Sequence, residues 1–195
     1  TNTNKDEIMP QILVPLANGF EETEAIAIID ICRRGDIEVI VAGVDSSTIM
    51  GAHDISINTD CLIEEVNVNA LDMIALPGGW GGTESLASNK TVQSILKQMK
   101  KSDKYIGAIC AAPYALDAAG VLSDNFTCYP SIETKIRLDG YDKNTGTIID
   151  GKIITSQAVG TAVCFALEIV KILKGDEAYH NLKKRNSSQM LTYLK

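Results

Sequence analysis

Apolar residues fall along this chain in short unbroken runs and in helical periods, and the two patterns alternate. The runs Gln11 to Leu16 (QILVPL), Ile37 to Gly43 (IEVIVAG), Leu71 to Leu76 (LDMIAL) and Tyr105 to Ile109 (YIGAI) carry at most one charged position each. Strands of a parallel sheet covered on both faces read this way. Between them, a helix is predicted from about Glu21 to Arg34, with Glu21, Glu22 and Glu24 in its first turns, Arg33 and Arg34 in its last, and Gly35 as its stop. That charge order complements the helix dipole. Val92, Ile95, Leu96 and Met99 recur at helical spacing and predict a second helix. Further helices are predicted over Ala111 to Ala119, ended by Gly120, over Thr161 to Leu173, closing at Lys174-Gly175, and near 176 to 184.

Two stretches break the alternation. Residues 44 to 66 hold short strand-like pieces such as Asp54 to Asn58, read as a hairpin appended to the main sheet, and Asp150-Gly151 between two β-rich runs (Thr147 to Ser156) is a hairpin signal. Strands alternating with helices predict an open α/β sheet with helices on both faces, where ligands sit at the carboxyl ends of strands. The strand-to-helix turns are therefore the places to look for chemistry.

Composition narrows the classes. A length of 195 residues with 45% hydrophobic and 22% charged residues predicts one ordinary folded domain over residues 1 to 195, residues 1 to 8 forming a flexible extension before the first strand. The net charge of −7 leaves no basic face for phosphate neutralisation, so no nucleic-acid partner is expected. No apolar run approaches the roughly 18 residues of a spanning helix, so no membrane partner is expected. The polar start, TNTNKDEIMP, lacks the apolar segment of a secretory signal, and a cytoplasmic location is the expectation. The five cysteines, Cys32, Cys61, Cys110, Cys128 and Cys164, show no CxxC pair or zinc pattern, so neither a metal nor a disulfide framework is expected.

Three segments could carry chemistry. In Gly107-Ala108-Ile109-Cys110-Ala111-Ala112-Pro113 a cysteine sits where an apolar strand turns into a helix, among neighbours small enough for a strained elbow. A sulfur there would face backbone N–H groups at a helix start, which favours thiolate; the alternative is one more packed cysteine. Leu76-Pro77-Gly78-Gly79-Trp80-Gly81-Gly82 is a glycine-rich turn after a strand, either an oxyanion cradle or a plain flexible turn. It lacks the Gly-Lys-Ser/Thr of a P-loop. In the first helix, Glu24 shares a stripe with Ala27, Ile28 and Ile31, where desolvation would raise its pKa and keep it protonated beside a thiolate. Glu21 and Glu22 read more simply as partners of the dipole. His53 and His180 are adjacent to none of these and read as surface residues, which disfavours a cysteine-histidine protease dyad.

Taken in order, Gly19-Phe20-Glu21-Glu22-Thr23-Glu24-Ala25, Leu76-Pro77-Gly78-Gly79, Ala108-Ile109-Cys110-Ala111-Ala112-Pro113 and Thr155-Ser156-Gln157-Ala158-Val159-Gly160-Thr161 resemble the ThiJ/PfpI superfamily, and within it the subfamily of the parkinsonism-associated deglycase. The resemblance runs from about Gln11 to Gly175. It implies a flavodoxin-like three-layer α/β/α sandwich of the class I glutamine amidotransferase kind and a homodimer. It also implies Cys110 as nucleophile, Glu24 as its protonated carboxyl partner, and the amides of Gly78, Gly79 and Ala111 as the oxyanion site. Arg34 stands where similar proteins place an arginine that reaches the partner subunit's pocket. The implied activity is cofactor-free conversion of 2-oxoaldehydes such as methylglyoxal to hydroxy acids, or removal of glycated adducts. Its alternative is oxidative-stress sensing or chaperone action through oxidation of the same cysteine. The chain departs from the pattern at Tyr129, where many members have histidine before Pro130, and at Ala158-Val159, where Gly-Pro is usual. Ala111, in place of the histidine that follows the nucleophile in the protease-like branch, speaks against peptidase activity.

Overall fold

The computed structural model describes residues 8–186, so the extension expected over residues 1 to 8 lies outside the described residues except for the exposed Ile8. Parallel strands β1 (Gln11–Leu16), β2 (Glu38–Gly43), β6 (Met73–Leu76), β7 (Tyr105–Ile109) and β9 (Ile153–Ser156) build the centre of a seven-stranded sheet. The edge strand β5 (Cys61–Leu62) lies parallel to β2, and β8 (Thr147–Asp150) runs antiparallel to β9, giving the order β5-β2-β1-β6-β7-β9-β8. The remaining strands, β3 (Thr48–Met50) and β4 (Ser56–Asn58), pair with each other in a separate two-stranded sheet.

The apolar runs carry a period of two, because successive side chains of a strand point to opposite faces. Ile12, Val14 and Leu16 of β1 and Met73 and Ala75 of β6 enter one core layer. Helices α1 (Glu22–Arg34), α6 (Ala162–Lys174) and α7 (Asp176–Asn186) cover that layer through residues such as Ile28, Cys32, Phe165, Val170 and Leu182. Leu13, Ile74 and Leu76 enter the other layer, under α3 (Lys90–Lys101) and α4 (Pro113–Ala118). Each buried Leu or Ile stabilises the fold by roughly 1.5–3 kcal/mol, so both helix layers are held by the sheet rather than by their own propensity. The expected α/β architecture, with a mainly parallel sheet flanked by helices, is the one observed.

Four local readings are corrected. The glycine-rich turn stops at Gly79, because Trp80–Ser88 forms a helix, α2, in spite of Gly81 and Gly82. A Cβ on Gly82 would sit 2.9 Å from the backbone of Phe20, so that glycine lets the helix approach the turn after β1. Asn89 ends α2 and starts α3 by accepting from the Val92 N–H at 2.9 Å. The hairpin loop between β8 and β9 is Gly151-Lys152, one residue later than Asp150-Gly151, with Gly151 alone at positive φ (61°). Helix α4 begins at Pro113, whose fixed φ suits a first helical turn, two residues after the predicted start at Ala111. Finally, the 44 to 66 segment holds a hairpin, but β3 and β4 do not join the main sheet. They dock on the loop between β1 and α1, through Gly19 N–H to Met50 O (2.8 Å) and Ala52 N–H to Phe20 O (2.8 Å).

Candidate active site

Three strand ends converge where the sequence placed its candidate chemistry. Strand β7 ends at Ile109, and Cys110 follows with φ at 64°, a left-handed conformation that costs a non-glycine residue about 1–3 kcal/mol. Its backbone is gripped from both sides: Cys110 N–H donates to Ser156 O at the end of β9 (2.9 Å), and Cys110 O accepts from Tyr129 N–H (2.8 Å). These bonds hold the elbow, and the residue stays half-buried rather than enclosed.

Glu24 arrives from the first turn of α1 and is fully buried. Glu21 is the N-cap, and its Oε2 accepts from Glu24 N–H at 2.8 Å, fixing the turn that aims the carboxyl inward. Glu24 Oε1 accepts from Gly78 N–H at 3.0 Å, while Oε2 is buried and finds no hydrogen-bond partner of ordinary geometry among the described residues. Gly78 separates the two functional groups. A Cβ there would lie 2.6 Å from Cys110 Cβ and 2.6 Å from Glu24 Oε1, so those two atoms lie within twice that distance of each other.

The electrostatics follow from burial. Burial pushes the Glu24 carboxyl up to about 7, and the Glu21 charge adds to this against hydrogen bonds from Cys110 and Gly78. Burial also pushes the Cys110 thiol up to about 12, and the Glu24 charge adds to this against the N–H groups of Gly79 and Ala111. Helix α4 has only six residues and starts beyond Ala112, so the lowering expected from a helix N-terminus has little helix behind it; the N–H groups of Gly79 and Ala111 are what pull the thiol down against burial. Two groups this close titrate as a unit. Burial opposes charge on either group, and each resists ionising further while the other is charged. With one proton lost, the pair carries one negative charge, as carboxylate and thiol or as carboxyl and thiolate, and one proton moving between the two side chains interconverts these forms.

The structure brings Glu24, Gly78, Gly79, Cys110 and Ala111 together, with one change of role. Gly78 N–H is committed to Glu24 Oε1, so it positions the carboxyl instead of joining an oxyanion pair; the amides directed at the sulfur are those of Gly79 and Ala111. His53 is exposed and lies against Glu22, its backbone N–H 2.6 Å from Oε1 and its Nδ1 3.0 Å from Oε2, while the exposed His180 contacts Asp176 O at 2.7 Å. No histidine bears on the sulfur. Arg34 forms an ion pair with Asp30 at 2.7 Å on the outer face of α1. The capping bond of Glu21 and the backbone grip of Ser156 and Tyr129 were not read from the sequence. An acidic residue three before Glu24 was the available signal for the first; the grip depends on sheet order and had none. Glu21, Glu22 and His53 place ligand atoms within 4.8 Å of one another, but the Glu22–His53 contact already accounts for that proximity.

The model of the DJ-1/PfpI family matches residues 10–172. Among curated proteins, Protein DJ-1 homolog B of Arabidopsis thaliana is 38% identical over 178 residues, covering 90% of this chain and 40% of that protein. The chain thus spans less than half the length of that relative. The Glutathione-independent glyoxalase DJR-1.2 of Caenorhabditis elegans is 35% identical over 174 residues, covering 89% of this chain and 92% of that protein. Among solved structures, Drosophila melanogaster DJ-1beta superposes with a TM-score of 0.89 at 34% identity, covering 92% of this chain and 98% of that one. No helix among the described residues is long and apolar enough to cross a membrane.

Proposed function

Because the chain belongs to the DJ-1/PfpI family, we propose that it converts small 2-oxoaldehydes such as methylglyoxal to 2-hydroxy acids at Cys110, without a cofactor. The observation that carries this reading is the buried Glu24 carboxyl, anchored through Oε1 to Gly78 and within reach of the elbow thiol. The name of the nematode relative, a glutathione-independent glyoxalase, points the same way.

In the reactive monoanion the thiol proton passes to Glu24, and the thiolate adds to the aldehyde carbon. The carbonyl oxygen becomes an alkoxide hydrogen-bonded to the Gly79 and Ala111 N–H groups and then takes the proton from Glu24, giving a hemithioacetal. Glu24, again a carboxylate, removes the proton from the same carbon and returns it to the neighbouring one through an enediol, leaving a thioester. Water cleaves the thioester to the hydroxy acid and restores the thiol. The net change is addition of one water to the dicarbonyl. General acid–base transfer and oxyanion stabilisation each contribute about 10²-fold or more to such a rate. Cys110→Ala is expected to abolish lactate formation from methylglyoxal, and wild-type rates in that variant would refute the mechanism.

A second reading keeps the same residues for oxidation sensing. It is favoured by the half-exposed sulfur beside a carboxyl able to donate to a sulfinate, and by a solved Toxoplasma gondii DJ-1 described as oxidized, 30% identical to this chain. Intact mass after mild peroxide tests it: selective gain of two oxygens at Cys110 supports sensing, and absence of preference at that residue removes it. We further propose a homodimer formed through α1. Ile26 is 48% exposed there beside a hollow of about 500 Å³ lined by Ile26, Ile29, Asp30, Arg33 and Arg34. A monomer mass by light scattering at micromolar concentration would refute it.

A further inference from the structure

Aromatic side chains that the proposed chemistry does not use follow closely on the two segments that direct N–H groups at Cys110. Trp80, the single tryptophan of the chain, opens α2 directly after Gly79, and Tyr114 lies in the first turn of α4, three residues after Ala111. The N–H groups of Gly79 and Ala111 are the two directed at the sulfur. The rings of Trp80 and Tyr114 meet with centroids 5.2 Å apart and planes at 57°, and both pack against the buried cluster of Ala111, Phe126, Cys128 and Ile132 while remaining half-buried. Lys135, on the short helix α5 (Glu133–Ile136), places Nζ 5.1 Å from the centre of the Trp80 ring, a cation–π contact.

The two segments whose N–H groups face the sulfur therefore each carry one ring of a tilted pair. A carbonyl oxygen seated on those donors leaves the other end of the molecule beside the rings. The methyl group of methylglyoxal covers little of such a surface, whereas an aryl group matches it in shape and in ring quadrupole.

We propose that Trp80 and Tyr114 form a specificity wall that selects 2-oxoaldehydes bearing an aromatic substituent over those bearing a methyl group. This deepens the reading of the same site and rests on it for turnover, but the wall makes a separate prediction about binding. Trp80 reports on itself through its fluorescence. In wild type, the kcat/KM for phenylglyoxal exceeds that for methylglyoxal, and Trp80→Ala lowers this ratio by about two- to ten-fold, the worth of one aromatic contact. Trp80→Phe restores part of the ratio, which a purely structural role would not require. In Cys110→Ser, which cannot turn over, the product acid mandelate perturbs Trp80 fluorescence at lower concentration than lactate does. Equal losses for both aldehydes in Trp80→Ala, or equal responses to mandelate and lactate, would overturn the wall. If wild type turns over neither aldehyde but mandelate still outperforms lactate, the wall stands and the aldehyde reading falls.

Discussion

Replacing Glu24 with glutamine tests the shared proton directly. The carboxamide oxygen can keep the bond from Gly78 N–H, now 3.0 Å, and the amide nitrogen takes the place of Oε2, so shape and packing are nearly conserved. What disappears is the charge. Two unit charges ~5 Å apart at an effective dielectric of ~20 interact by roughly 3 kcal/mol, or about 2 pKa units. The Cys110 thiol, pushed up to about 12 by burial first and by the Glu24 charge second, is therefore expected to titrate about 2 units lower in Glu24→Gln. The rate changes in the opposite sense, because no group remains to take the thiol proton or to move the proton between the two carbons, and kcat is expected to fall by about 10² to 10⁴-fold. The assay is a pH series of both iodoacetamide alkylation of Cys110 and methylglyoxal turnover. In wild type, turnover rises with pH through about 7, because the fully protonated pair has neither base nor thiolate below that value. A neutral limb that survives in Glu24→Gln would show that some other group sets it, and an unmoved thiol titration would show that the two side chains are not coupled.

Two further outcomes follow from named contacts. Gly78→Ala places a methyl 2.6 Å from both Cys110 Cβ and Glu24 Oε1 and 2.9 Å from Ile109 O, so urea unfolding should show a loss of roughly 1–3 kcal/mol together with near-complete loss of turnover; a variant as active as wild type would refute the close approach. At the docked hairpin, burial raises the Glu22 carboxyl, but the bonds from His53 and Ile55 outweigh it and hold it below the usual 4.5, while the Glu22 contact holds the His53 imidazolium above its usual 6.5. The Glu22 share of stability is present above 4.5 and is lost as pH falls through the lowered value; the His53 share is full below 6.5 and is lost as pH rises through the raised one. The clamp is thus tightest between those ordinary values, and an NMR titration of His53 should return toward 6.5 in Glu22→Gln; an unchanged midpoint would remove the clamp.

Much of the architecture was legible because it depends on local pattern. Continuous apolar runs such as Gln11 to Leu16 and Tyr105 to Ile109 announce strands covered on both faces, and charge order with Gly35 announces the first helix and its end. The elbow at Cys110 was legible too, since small residues around one cysteine at a strand-to-helix turn permit the left-handed backbone found there. Local pattern misled where a distant neighbour decided the outcome. Gly81 and Gly82 are poor helix formers, yet they lie in α2, and the chain at Phe20 leaves no room for a Cβ on Gly82.

The sequence by itself therefore determined the order of strands and helices, the family resemblance and the residues of interest, because each is carried by side-chain type and spacing along the chain. Only the tertiary structure decided what those residues do to one another. Gly78 N–H turns toward Glu24 Oε1, and the Glu24 carboxyl and the Cys110 thiol are buried against each other, each pushed up first by desolvation. Trp80 and Tyr114, 34 positions apart along the chain, meet beside the site. Hydrogen-bond commitment, desolvation and charge coupling depend on distances between strand ends that only the packed sheet brings together.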